Sequence, residues 1–297
     1  MIRVLLAAFL LATGMLAFMS INSEAREQFD RVRVVYVKPT KSEHEQLLLG
    51  LQNDNTLTRM RELLSPLRLP HTLTLKLKEC GGDLNAWYQD NIITICYDYL
   101  AFILKNAESP PEQLGLTRKS AFVGALVDLI LHEVGHAVFD MLNIPLFGRE
   151  ESAADMFSAY IMLQFSPRDA HQLINATAYL SGTEARRDQK LMPTASDYAN
   201  THGLPAQRYF NLLCIAYGSN PKIFGEVLTI GKLPNDRAEG CEDEYNQVRH
   251  AFAVLIEPHL DQNVLKNITA RKWFDFEDAA QPSSSASARA NPHNEEP

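Results

Sequence analysis

The sequence predicts an α+β fold: a small antiparallel sheet packed on a long apolar helix, followed by a mainly helical C-terminal half. Three observations carry this. Short β-branched or alternating segments fall before Tyr97. Apolar residues recur at helical spacing through most of the chain beyond it. The run from Thr117 to Leu142 is apolar around much of its circumference, as expected of a helix buried on most sides.

In order, Val32 to Val37 (VRVVYV) is β-branched and aromatic and reads as a first strand. Lys41 to Leu64 carries Leu47, Leu48, Leu51, Leu57, Met60, Leu63 and Leu64 at helical spacing, with a break marked by Asn53 to Asn55 and an end at Pro66. Leu73, Leu75 and Leu77 alternate with Thr74, Lys76 and Lys78, the pattern of a half-buried strand. After the turn at Gly81-Gly82-Asp83, Ala86-Trp87-Tyr88 and Ile92 to Cys96 are two more strands, and a helix follows from Tyr97 to Asn106. The segment 72–96 is thus expected to form an antiparallel sheet. Thr117 can cap the long helix. Gly135 inside that helix costs about 1 kcal/mol relative to alanine, so close packing is expected there. Asn143 and Pro145 end it.

A helix is predicted from Arg149 to about Gln164, and Ser166-Pro167 opens another that runs to about Leu180. Ser181 to Ala199 is polar and reads as a surface excursion. Pro205–Tyr217, Pro221–Ile230 and Cys241–Leu255 are predicted helices; the last has an acidic first turn that suits the helix dipole. From Ala279 the chain has almost no large apolar residue and reads as a disordered tail over 279–297.

With 297 residues, 46% hydrophobic, the chain suits one globular domain, placed at 26–278. The net charge of −8 and the lack of a basic run exclude nucleic acid as an expected partner. Arg3, the apolar run Val4–Met19, and Ser23 and Ala25 at −3 and −1 of a cleavage site make 1–25 a signal peptide, or otherwise a membrane anchor. The run is short against the roughly 17–25 residues of a span, which favours cleavage and an exported protein, periplasmic or secreted. The four cysteines agree with that address; Cys80–Cys96 and Cys214–Cys241 are the expected pairs, because each staples a local segment.

The chemistry gathers in LHEVGHAVFDMLNIPLFGREESAAD, Leu131 to Asp155. His132 and His136 are four apart and share one helix face, so both imidazoles reach one metal ion, with Glu133 beside it. A catalytic zinc ion needs three protein ligands and an open position for water. Glu151, on the next helix, is the candidate third ligand. Asp155, four residues on, points the same way and can accept a hydrogen bond from a ligand histidine. Glu150 is the rival ligand, about 100° away around that helix. Glu133 is the candidate general base. His202 is the candidate donor to the developing oxyanion, against the alternative of a turn histidine before Gly203. Asp128 and Asp140, at four-residue spacing from the histidines, read as solvated polar residues, with support of the histidines from behind as the alternative. No G-x-S-x-G elbow is present.

HEVGH followed by ESAAD resembles the gluzincin pattern of thermolysin-like peptidases, a zincin-like fold, and lacks the longer metzincin motif. Asn85-Ala86-Trp87-Tyr88 is similar to the edge strand that pairs with substrate in those enzymes. More closely, ECGGDLNAWYQD, ITICYDY, HGLPAQRYFNLLCIAYG and GCEDEY, with the metal motif, resemble a bacterial metallopeptidase family of otherwise unknown function, over roughly Val32 to Leu260. The resemblance implies one catalytic zinc ion, Glu151 as third ligand, Asp155 as its neighbour's partner, and Asn85 and Ala86 as substrate-aligning residues. It departs from thermolysin-like enzymes in the shorter gap from His136 to the glutamate. The expected activity is zinc-dependent hydrolysis of a peptide or protein substrate; the alternatives are a catalytically silent binding or chaperone module, and a zinc amidase acting on cell-wall peptides.

Overall fold

The computed structural model describes residues 31–188, 192–269 and 271–274. The expected leader at 1–25 and the tail at 279–297 lie outside them. The architecture is α+β. The strands are β1 (Val32–Tyr36), β2 (Leu73–Lys78), β3 (Ala86–Gln89) and β4 (Ile92–Cys96). The helices are α1 (Ser42–Asn53), α2 (Thr56–Leu64), α3 (Tyr97–Asn106), α4 (Arg118–Met141), α5 (Glu150–Met162), α6 (Pro167–Asp188), α7 (Ala195–Ala199), α8 (Pro205–Ser219), α9 (Asn235–Ala238), α10 (Cys241–Leu255) and α11 (Gln262–Thr269).

The sheet has the order β1-β2-β4-β3 and is mixed. β1 and β4 both run parallel to β2, and only β3 and β4 are antiparallel. The expectation of a wholly antiparallel sheet therefore fails between β2 and β4. Asp90 and Asn91, with φ of 52° and 61°, close a tight hairpin whose geometry matches strand twist. That hairpin folds β4 inward against β2 and leaves β3 on the edge. Alternation of side chains, which located the strands, says nothing about this order. Leu73, Leu75, Leu77, Ile93 and Ile95 are fully buried and form the sheet's contribution to one continuous core.

Helix α4 crosses that core. Thr117 and Ser120 close a reciprocal capping box at its start, which satisfies backbone donors the helix leaves free. Two glycines let neighbours in. A Cβ at Gly124 would stand 2.4 Å from Ala176 of α6, and one at Gly135 would stand 3.2 Å from the Ala154 Cα of α5. Among the described helices α4 alone is long and apolar enough to cross a membrane, but it is mostly buried, as a core helix is.

Both expected disulfides form, Cys80–Cys96 and Cys214–Cys241. Each closes a short loop and stabilises by about 3 kcal/mol on the chain-entropy estimate. They point to an oxidising compartment. Elsewhere the elements depart from expectation in small ways. The Asn53–Asn55 break is real, with Asn55 left-handed between α1 and α2. Helix α6 runs on to Asp188 and α7 occupies part of the expected excursion; Pro221–Ile230 holds only a 3-10 turn at Gly225–Leu228.

Candidate metal centre

Helix α4 turns His132 and His136 to one side, with their Nε2 atoms 3.3 Å apart. Helix α5 brings Glu151 across from them. Its Oε2 lies 3.1 Å from His132 Nε2 and 3.4 Å from His136 Nε2. His202, from the turn before α8, places its Nε2 3.0 Å from the same oxygen. Three imidazole nitrogens and one carboxylate oxygen thus converge. His132, Glu151 and His202 each offer a ligand atom within 4.8 Å of the others, and His136 Nε2 lies as close to His132 and Glu151.

The outer contacts decide which ring nitrogens face the cluster. Asp155 Oδ1 lies 2.9 Å from His132 Nδ1, and Glu150 Oε1 lies 2.7 Å from His136 Nδ1. A carboxylate at Nδ1 keeps the proton there and leaves the Nε2 lone pair free, the arrangement of metal-bound histidines. Glu150 is therefore no rival to Glu151. It holds His136 from the outside, just as Asp155 holds His132. The 100° step between adjacent helix positions puts the two glutamates on opposite sides of the same imidazole.

Lone pairs and a carboxylate this close are satisfied only by positive charge between them. Burial alone would lower the pKa of His132, yet the hydrogen bonds it donates to Asp155 and Glu151 raise it to about 9. The hydrogen bond from His132 pushes Glu151 down to about 2. Burial would raise Asp155, but His132 and Arg208 bring it to about 2. Imidazole nitrogens and a carboxylate oxygen converging in this way are a donor set that suits a divalent metal ion.

Arg208 of α8 was not among the residues singled out from sequence. Its Nε donates to Asp155 Oδ2 at 2.8 Å and its Nη2 to Oδ1 at 2.7 Å, a two-pronged clamp. One signal was available: Arg208 stands four residues from both Leu204 and Leu212, on the face of the helix that turns inward. Asp128 also differs from expectation. It lies on α4 at the cavity wall, half-buried, where Ser158 Oγ of α5 donates to it at 2.7 Å, and desolvation raises its pKa. Asp140 accepts a hydrogen bond from the Tyr88 hydroxyl at 2.7 Å.

Glu133 is buried beside the cluster and reaches a cavity of about 170 Å³. Burial raises its pKa, and the Tyr88 backbone N–H facing it pulls the other way. Asn85, Ala86, His132, His202 and Arg208 share that cavity, whose apolar walls include Phe102, Leu129 and Met156. Asn85 spends its carbonyl on the Cys96 N–H at 3.2 Å. Because pairing alternates along an antiparallel ladder, the backbone groups that point away from β4 belong to Ala86 and Tyr88, and the Tyr88 N–H is turned to Glu133. The expected aligning role of Asn85 is left to its side chain.

Fold and site together define an α+β protein with a candidate metal site of histidines and a glutamate, set between its central helix and the next. The chain belongs to the family described as "Putative metallopeptidase" (DUF4344), whose model matches residues 36–256. Membership suggests a metal-dependent peptidase, and so a hydrolase. No curated protein and no solved structure matches the chain.

Proposed function

We propose that this protein is a zinc-dependent peptidase of gluzincin type, in which His132, His136 and Glu151 hold one zinc ion. The observation that carries the reading is the convergence of His132 Nε2, His136 Nε2 and Glu151 Oε2 within 3.4 Å of one another, with a carboxylate behind each imidazole. Two imidazoles and one carboxylate are a known catalytic zinc set, with a fourth position left for water. A zinc ion held there acidifies water and polarises a substrate carbonyl.

The protein's own residues supply the rest. Glu133 accepts the proton from the attacking water and returns it to the leaving amine. Its burial favours proton acceptance, because the charged form is the one that burial penalises. His202, on the exposed rim of the cluster, donates to the oxygen on which charge develops. The open edge groups of Ala86 hydrogen-bond the substrate backbone as an added strand, with the Asn85 side chain at the cavity wall. The substrate is a peptide or protein. The two disulfides support export, with the leader removed after about Ala25.

The test combines metal analysis with cleavage of a random peptide library, with and without a chelator. Glu133→Gln is expected to keep its zinc and to lose cleavage by roughly 10²–10⁴-fold. Equal cleavage by that variant and the parent sinks the mechanism.

A further inference from the structure

Tyr88 joins the open edge strand to the helix that carries the metal motif. Its backbone N–H faces the Glu133 carboxylate. Its hydroxyl donates to Asp140 Oδ2 at 2.7 Å. Glu133 and Asp140 both belong to α4, seven residues apart, which is two turns and about 10 Å along the axis. The same tyrosine therefore meets α4 at two points on one face. Antiparallel pairing holds the other edge of β3 to β4, while the edge that faces the site has no strand beside it. The Tyr88 hydroxyl ties this four-residue strand to α4 on its other side. It sits at the end of the strand away from the cavity, where neither Asn85 nor Ala86 reaches.

We propose that the Tyr88–Asp140 hydrogen bond is a positioning device that sets the distance between the open edge of β3 and the Glu133 carboxylate. Tyr88 acts through its backbone on the base, and Asp140 acts through Tyr88. Neither side chain touches the reacting atoms. This inference rests on the peptidase reading above, since it assigns a function to the alignment of Glu133 with a substrate strand. The hydroxyl is aimed at a carboxylate, an interaction stronger than a neutral hydrogen bond. Asp140 lies outside the metal cluster, so its loss leaves the ligands in place.

The experiment measures kcat and KM on a fluorogenic peptide substrate, together with zinc content and thermal stability, for Tyr88→Phe, Asp140→Ala, Asp140→Asn and the Tyr88→Phe/Asp140→Ala double variant. A misplacement of about 1 Å costs about 100-fold, so partial loosening is expected to lower kcat about 10-fold in Tyr88→Phe and in Asp140→Ala, with KM within about twofold of the parent. Zinc content stays at the parent value. Asp140→Asn keeps an acceptor oxygen and is expected to recover most of the activity. The double variant should be no worse than either single one, because both remove the same bond. Parent-like kcat in Tyr88→Phe, a loss confined to KM, or losses that multiply in the double variant would each overturn the assignment. Glu133→Gln, run alongside, separates the failures. If it cleaves like the parent, the peptidase mechanism falls and the positioning role with it. If it is inert while Tyr88→Phe is unaltered, only the positioning role falls.

Discussion

Replacing Gly135 by alanine probes how tightly the spacing of α4 and α5 sets the metal centre. The added methyl would lie 3.2 Å from the Ala154 Cα, 3.3 Å from its Cβ and 3.4 Å from Phe157. Two of those three contacts are to a residue with no exposed surface, and the nearest is to backbone. A flexible side-chain tip could yield cheaply; a helix backbone cannot. Helix α5 must therefore move away by a few tenths of an ångström. Overpacking of this kind costs about 1–3 kcal/mol. Alanine returns about 1 kcal/mol through its better helix propensity. The net is a loss of about 1 kcal/mol, which lowers Tm by about 2–4 °C in a chain of this size. Ala154 is next to Asp155 and three residues from Glu151, so the same movement pulls both carboxylates away from His132. Zinc affinity is expected to fall about 10-fold, the low end for disturbed outer contacts. The assay is Tm by calorimetry on the metal-free protein and zinc affinity by competition with a chelating dye. Gly50→Ala is the control: it lies in α1 with nothing within 4 Å of its added methyl, and it should be neutral or stabilising. A Gly135→Ala protein that is more stable than the parent and binds zinc equally well would refute the reasoning.

Other outcomes follow from the same geometry. His202→Ala is expected to keep one zinc ion per chain and to lose kcat about 10²–10³-fold, the usual effect of removing an oxyanion donor; loss of stoichiometric zinc would instead make His202 a ligand. Arg208→Met removes both hydrogen bonds to Asp155 and should weaken zinc binding about 10–100-fold, measured by the same dye competition; unchanged affinity would mean that His132 alone fixes Asp155. Glu79 accepts backbone N–H groups from Lys41 and Thr40 and contacts His44, and the Lys41 amide first among these brings its pKa to about 2. A depressed carboxylate stabilises the fold above its unfolded value of about 4.3 and loses that contribution as pH falls through about 2. The Tm gap between the parent and Glu79→Gln should therefore be constant above about pH 5 and close on acidification, and a gap independent of pH would count against it.

Much of the site was legible because helix periodicity is short-ranged. His132 and His136 had to share a face, and Glu151 with Asp155 had to share another, whatever the tertiary packing. The same arithmetic separated Glu150 from Asp155, but it could not say that Glu150 would find the far nitrogen of His136. That contact depends on how α5 crosses α4, which Gly135 permits and no spacing rule encodes. Arg208 and the burial of Asp128 were missed for a related reason: a charged residue on an inward face reads as solvated until its partner on another element is placed beside it. The parallel pairing of β2 and β4 was partly legible. Lys78 pairs with Cys96 in the register, so the strands end together, and Cys80 needs only two more residues to meet Cys96. In an antiparallel pair Cys96 would have stood at the opposite end from Cys80. The disulfide and the strand direction were two readings of one constraint, and only the disulfide was read.

The division of labour between α4 and α5 explains why the centre needs so little else. Helix α4 supplies the two imidazoles and the buried glutamate; α5 supplies the converging carboxylate and both carboxylates behind the imidazoles, within Glu150, Glu151 and Asp155. All three of these carboxylates thus reside in six consecutive residues of one helix. Its close approach to α4 is permitted by Gly135, which meets Ala154 and Phe157, and is tied by Ser158 donating to Asp128. Arg208, from a third helix, neutralises the excess negative charge that three clustered carboxylates would otherwise carry once the ion has left. Without it, metal-free α5 would repel itself at the turn where it must stay closest to α4. The clamp on Asp155 therefore keeps the metal-free protein in the shape that receives the ion, which lowers the reorganisation needed for binding.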